Sequence, residues 1–226
     1  MILAFDLDDT LYPEASYVDS GLSAVAWHGM YRWGWDADVS LATLRRVIAR
    51  DGRGKVFDQW LAGQGAWSRT RVQECVKVYR HHRPRLELFP AAKFILERYR
   101  SSRPLYLVTD GHKIVQRNKV DALDLWGTFR RVLITHRFGR AAAKPSTLCF
   151  ERILAAENGA WSDLVYVGDN PAKDFVSLNA RGAFTVRVLT GCHAQIPADP
   201  CYDAKVTISD LHVLPAALGT RFTDLD

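Results

Sequence analysis

Four acidic residues, Asp6, Asp8, Asp169 and Asp174, and one lysine, Lys144, each following a short apolar run, are the residues of this chain best placed to do chemistry. The first run, Ile2 to Phe5, has no polar alternation and leads into Asp6-Leu7-Asp8-Asp9-Thr10. An unbroken apolar run is expected of a parallel strand buried on both faces. Ligands of open α/β sheets bind beyond the carboxyl ends of the strands, which is where Asp6 and Asp8 fall. In extended backbone, residues two apart face the same side. Two close carboxylates repel unless a cation neutralises them or one keeps a proton. The pair therefore calls for a metal, a shared proton, or both, unless it is only an Asp-rich turn after a strand.

Three later runs end in polar groups of complementary kinds. Leu105-Tyr106-Leu107-Val108 leads into Thr109-Asp110-Gly111, the run at 132–135 is followed by Lys144-Pro145, and 164–167 leads into Gly168-Asp169-Asn170-Pro171, with Asp174 five residues past Asp169. Each is common alone, as a cap, a solvated lysine or a turn. On one edge of one sheet they form an acidic, metal-competent site with a cation and a hydroxyl beside it.

Positioning them requires alternating strands and helices. Strands are expected at 2–5, 105–109, 132–135, 164–167 and 184–188. Phe150, Ile153 and Leu154 have helical spacing, and Asn170-Pro171 reads as an N-cap and first-turn proline ahead of a helix at 175–178. The fold class is α/β, a Rossmann-like doubly wound parallel sheet. Residues 14–86 interrupt the alternation with helical spacings only (Val18/Leu22/Val25, Leu44/Val47/Ile48, Phe57/Trp60/Leu61, Val72/Val76/Tyr79). About 70 residues exceed what a crossover between neighbouring strands needs. The expected division is a core of 1–13 and 87–226 with a helical module at 14–86. Trp27, Trp33, Trp35, Trp60 and Trp67 fall in that module, most of them as its own core. The last ten residues read as weakly ordered.

The motifs in this order, Asp6-x-Asp8-x-Thr10, Thr109, Lys144 before a helix, and Gly168-Asp169…Asp174, resemble those of the haloacid dehalogenase superfamily, and the insertion resembles its α-helical cap. Asp110 departs from the Asn often found after the second-motif hydroxyl. The resemblance implies an Mg²⁺-dependent phosphatase acting through an aspartyl-phosphate. Asp6 would be the nucleophile and Asp8 the general acid and base. The metal would be held by Asp6, Asp169 and the Asp8 carbonyl. Thr109, Asp110, Gly111 and Lys144 would bind the phosphoryl group, with Lys144 also catalytic. Asp174 would support Lys144 or a metal-bound water, and Thr10 would tie the first loop. Tyr12, Tyr17, His28, Arg32 and His112 are positional candidates for reading the leaving group.

A phosphotransferase or phosphomutase differs only in the acceptor. A 2-haloacid dehalogenase would leave Asp8 and Asp169 as idle charges. A receiver-like signalling module uses the same functional groups, but the run at 132–135 ends in His136-Arg137 and offers no acceptor aspartate. There is no G-x-G-x-x-G, and Gly52-Arg53-Gly54-Lys55-Val56 lacks Walker spacing.

The chain has 226 residues, 48% hydrophobic and 24% charged, with a formal charge of +5, which is ordinary for a globular protein. No apolar run approaches the roughly 18 residues of a membrane span, and the N-terminus lacks a basic region before its apolar stretch. Cys75, Cys149, Cys192 and Cys201 form no CxxC pair, Cys192-His193 and Cys201 are too irregularly placed for a zinc reading, and the four read as buried free thiols in a reducing, cytoplasmic setting. The densest basic patch, 80–85, reads as a solvated linker and not a nucleic-acid surface. The expected partner is a small phosphorylated metabolite, with no nucleic acid polymer or membrane, and the expected assembly is a monomer or homodimer.

Overall fold

The computed structural model describes residues 1–219. The expectation of weak order covered 217–226. Of these, Ala217 and Leu218 close a short helix, Leu218 is buried, and 220–226 lie outside the described residues.

Among the described residues six strands form one sheet in the order β3-β2-β1-β4-β5-β6, every pair parallel. They are β1 (Ile2–Phe5), β2 (Leu105–Thr109), β3 (Arg131–Ile134), β4 (Leu164–Gly168), β5 (Phe184–Val188) and β6 (Val206–Ile208). All residues of β1, β2, β4 and β5 are buried, which is why these runs show no polar alternation. The doubly wound expectation holds. The central pair is β1 with β4, in the register Ile2↔Leu164 to Phe5↔Val167. There the strand order changes direction, opening a crevice beyond the carboxyl ends.

The helices are α1 (Glu14–Trp33), α2 (Ala37–Asp51), α3 (Val56–Gly63), α4 (Arg69–His81), α5 (Pro90–Tyr99), α6 (Lys113–Ala122), α7 (Leu148–Glu157), α8 (Val176–Arg181) and α9 (Leu214–Leu218). One buried cluster joins Phe150, Ile153 and Leu154 of α7 to Ala4, Tyr106, Leu133 and Tyr166 of the sheet. The Asn170-Pro171 reading needs correction. Asn170 Oδ1 accepts from Ala172 N in an Asx turn, and α8 starts only at Val176, with no side-chain cap.

The chain divides into two compact units, one of Met1–Glu14 with the chain from Leu86 onward, the other Ala15–Arg85. The second unit is helical and has its own core of Val18, Leu22, Val25, Leu44, Phe57, Trp60, Leu61 and Cys75. Trp60 is fully buried and Trp33 and Trp35 pack on that core, whereas Trp27 and Trp67 are exposed. Asp36 and Ser68 cap α2 and α4 by accepting from Val39 N and Arg71 N, a contact typically worth about 1 kcal/mol. The cysteine reading holds for Cys75 and Cys149, which are buried. Cys192 and Cys201 are free but exposed, because both lie in the irregular segment between β5 and β6.

Candidate active site

β1 hands the chain to the site through Asp6, whose N–H donates to the Val167 carbonyl at 2.8 Å. This keeps Asp6 level with the end of β4, where Asp169 follows Gly168. A Cβ on Gly168 would lie 2.6 Å from Asp174 Oδ2, so glycine there admits Asp174 to the strand end. Asp174 is fixed by accepting from Asn170 N at 2.9 Å. As a result Asp6, Asp169 and Asp174, all buried, bring carboxylate oxygens within 4.8 Å of one another.

Lys144, on the segment between β3 and α7, enters this cluster. Its Nζ lies 3.0 Å from Asp6 Oδ1 and 2.7 Å from Asp174 Oδ1, and it donates to the Tyr166 hydroxyl at 2.8 Å. The ammonium is buried, but Asp174 and Asp6 outweigh that penalty and hold its pKa well above the lysine range. One cation does not balance three acids. Burial raises Asp6 to about 6 against the pull of Lys144. Burial, then the charges of Asp6 and Asp174, push Asp169 up to about 9. Buried carboxylates crowded this way are short of positive charge, and an all-oxygen set suits a hard divalent ion such as Mg²⁺.

Asp8 stands apart from that cluster. It receives Lys119 Nζ at 2.6 Å and Gln116 Nε2 at 2.9 Å, and the Tyr12 hydroxyl at 2.5 Å. Burial raises the Asp8 carboxyl, but Lys119, with the Tyr12 and Gln116 bonds, outweighs burial and holds it below the usual carboxylate range. Gln116 also donates to Thr109 Oγ1, which leaves the buried Thr109 hydroxyl its proton to donate elsewhere.

The other residues singled out from the sequence are placed as follows. Asp110 accepts from Thr135 Oγ1 at 2.8 Å and Lys144 N at 3.1 Å, and lies 3.5 Å from Lys173 Nζ; its carboxylate braces the lysine segment. Gly111 lies in the loop into α6. Thr10 is fully buried, and its hydroxyl has no hydrogen-bond partner among the described residues. The first loop is tied instead by Asp9, which accepts from Glu14 N at 2.8 Å and Cys192 N at 3.1 Å. Of the leaving-group candidates, Tyr12 serves Asp8. Tyr17 packs on Tyr79 and His82, and His28 pairs with Glu74 at 2.8 Å. Arg32 is exposed beside Glu74, and His112 precedes α6.

Sequence reasoning missed Lys119, Gln116, Lys173 and His193. Gln116, Lys119 and Val120 are the buried residues of α6, so the signal was available as two polar residues at the i, i+3 spacing of an inward face. Lys173 sits inside the fourth motif, beside Asp110. His193 Nδ1 lies 2.7 Å from Asp169 Oδ2, and nothing in its local sequence announces that contact.

An open parallel sheet whose central strands end in clustered aspartates around a buried lysine defines a doubly wound α/β core equipped for carboxylate and divalent-metal chemistry. The chain belongs to the haloacid dehalogenase-like hydrolases, whose family profile matches residues 1–182. The phosphoserine phosphatase of Thermus thermophilus is 31% identical over 160 residues, 70% of this chain and 62% of that enzyme. The chain thus spans less than two thirds of that relative. The glyceraldehyde 3-phosphate phosphatase of Methanocaldococcus jannaschii is 29% identical over 221 residues, 94% of each. The crystal structure of a 2-haloacid dehalogenase from Pseudomonas syringae pv. Tomato DC3000 shares the fold with a TM-score of 0.65 at 23% identity, covering 97% of this chain and 99% of that one. No helix among the described residues is long and apolar enough to cross a membrane.

Proposed function

We propose that this protein is an Mg²⁺-dependent phosphatase that hydrolyses a small phosphate monoester through an aspartyl-phosphate on Asp6. The carrying observation is the buried cluster of Asp6, Asp169 and Asp174 with Lys144 at 3.0 and 2.7 Å from two of them. Phosphatases of the family are generally Mg²⁺-dependent, and two relatives are named for phosphoserine and glyceraldehyde 3-phosphate. A three-carbon phosphorylated metabolite is the substrate class this favours.

Asp6 and Asp169, with the Asp8 carbonyl, would hold the ion. When bound, it neutralises charge so that an anionic nucleophile meets an anionic phosphoryl group. Asp6 attacks phosphorus, and the bond to the leaving oxygen breaks. Lys144 offsets negative charge on Asp6 and the transferring group, and the Thr109 hydroxyl donates to a phosphoryl oxygen. Asp8 delivers a proton to the leaving oxygen. It then takes one from the water that attacks the aspartyl-phosphate, releasing phosphate and restoring Asp6. Lys119 holds Asp8 ionised, the form the second step requires. Arrival of a phosphate dianion beside Asp8 favours the protonated form the first step requires. Asp174 positions Lys144.

We assign selection of the leaving group to the helical unit, which is inserted between β1 and β2 as a cap would be, and we place the enzyme in the cytoplasm as a monomer or homodimer. The dehalogenase reading is disfavoured, because that chemistry gives no use to a raised, buried Asp169. The test is a panel of phosphorylated metabolites with Mg²⁺ and with EDTA, followed by acid-quench trapping of phosphorylated protein. Phosphate release without Mg²⁺, or transfer to an added alcohol in place of water, would overturn this reading.

A further inference from the structure

Outside the carboxylate and lysine groups that the proposed reaction uses, one further set of metal-ligating side chains converges among the described residues. Asp9, Cys192 and His193 each place a ligand atom within 4.8 Å of the other two. They come from opposite ends of the chain, and the fold holds them together by specific bonds. Asp9 has a left-handed backbone at φ 53° and accepts from Cys192 N at 3.1 Å. Thr190 Oγ1 donates to the Asp9 carbonyl. Arg187, buried on β5, donates to the His193 carbonyl at 2.8 Å and the Ile196 carbonyl at 2.7 Å, clamping the turn from behind. A Cβ on Gly191 would fall 2.0 Å from Asp9 Cγ, so glycine is needed for the turn to sit this close to the carboxylate.

The donor set is unlike the all-oxygen cluster beside it. Cys192 Sγ lies 3.5 Å from His193 Nδ1. With zinc–sulfur and zinc–nitrogen bonds of ordinary length, the edge of a tetrahedron joining the two atoms is about 3.6 Å. Thiol and imidazole select softer divalent ions over Mg²⁺. Three protein ligands leave one position for water, as in open zinc sites.

We propose that Asp9, Cys192 and His193 form a second cation site, which takes a zinc-class divalent ion and inhibits the adjoining acidic site. Inhibition follows from His193. Its Nδ1 lies 2.7 Å from Asp169 Oδ2, so an ion taking that nitrogen displaces the proton shared with Asp169 and sits beside a carboxylate that, on the phosphatase reading, the catalytic metal needs. Zinc binding and phosphatase turnover then oppose each other, with Asp169 as the shared group.

The first measurement does not depend on the phosphatase reading. Co²⁺ is titrated into metal-free protein and the ultraviolet thiolate-to-cobalt absorption is followed. The band is expected in the wild type and in Asp6→Asn, and is lost in Cys192→Ala. No band in the wild type, or one that persists in Cys192→Ala, overturns the site. The second measurement is Zn²⁺ inhibition of Mg²⁺-supported p-nitrophenyl phosphate hydrolysis. Cys192→Ala is expected to retain zinc-free turnover and to raise the half-inhibitory Zn²⁺ concentration at least about tenfold, the cost of a lost metal-site group. Equal Zn²⁺ sensitivity in the two proteins overturns the inhibitory role. An inactive enzyme that still shows the cobalt band would defeat only the phosphatase reading.

Discussion

Replacing Lys119 with methionine should change which leaving groups the enzyme tolerates. Lys119 Nζ sits 2.6 Å from Asp8 Oδ1 and 3.6 Å from Glu14 Oε1, with 3% of its side chain exposed. Removing one partner of a buried ion pair costs about 3–5 kcal/mol. Asp8 is 21% exposed and keeps its bonds from Tyr12 and Gln116, so the lower end, about 3 kcal/mol, applies. In a chain of this length that corresponds to a melting temperature lower by about 6 to 12 °C. The lost contact stabilises only the ionised form of Asp8, so the same energy converts to about a hundredfold larger protonated fraction at neutral pH. An alkyl phosphate needs that proton for its leaving oxygen, whereas p-nitrophenolate leaves without it. The ratio of kcat/KM for glycerol phosphate to kcat/KM for p-nitrophenyl phosphate should therefore rise by up to about a hundredfold in Lys119→Met. Lys119→Arg should keep the ratio near the wild-type value. Steady-state assays at pH 7 with both substrates read this directly. Equal loss on both substrates would place Lys119 in phosphate binding and refute its control of Asp8.

Asp6→Asn should abolish turnover and protein phosphorylation while leaving the melting temperature within a few degrees; near-normal turnover would exclude the covalent route. Mg²⁺ should raise the melting temperature more at pH 8 than at pH 6. Asp169 is held at about 9, above its unfolded value, so its contribution to metal-free stability is full at low pH and declines as pH rises through that value; a pH-independent Mg²⁺ shift would rule this out. Asp8 has the opposite sign: its lowered carboxyl stabilises the fold above the unfolded carboxylate pKa, and this is lost as pH falls through the folded one. Lys173→Met should raise KM for phosphate esters several-fold with little change in kcat, because Lys173 adds positive charge at the site without touching Asp6; a fall in kcat alone, at unchanged KM, would count against that role.

The strands that carry the site were legible because burial on both faces leaves unbroken apolar runs, and Asp6, Thr109 and Asp169 follow directly from where three of those runs stop. β6 was not legible. It has three residues, pairs only with β5, and only Ile208 of it is buried, so it carries too little apolar signal. The start of α8 was misread for a related reason. Asn170 is as competent in an Asx turn as at a helix N-terminus, and Asp174, by accepting from Asn170 N, holds the segment in a turn. Lys119 was invisible for a third reason. A lysine on a short helix is ordinarily solvated, and only the tertiary approach of Asp8 and Glu14 makes an inward position tolerable.

That approach explains why the site needs two lysines. Two aspartates separated by one residue begin with the same intrinsic acidity, yet the proposed nucleophilic attack and proton transfer ask different things of them. The fold separates them by giving each its own cation. Lys144 is shared among Asp6 and Asp174 with Asp169 nearby, so charge is under-compensated there and Asp6 and Asp169 rise. Lys119 is directed at Asp8 and joined by two neutral donors, so compensation is complete and Asp8 falls. Environments that drive neighbouring carboxylates in opposite directions assign distinct roles to them. The under-compensated group is the one that gains from a divalent ion, and the compensated one is free to exchange a proton without binding that ion through its carboxylate. Removing the second environment, by neutralising Lys119 while leaving Lys144, should therefore shift turnover towards leaving groups that need a proton and leave metal affinity untouched, a separation that Mg²⁺ titration of Lys119→Met reads alongside its leaving-group profile.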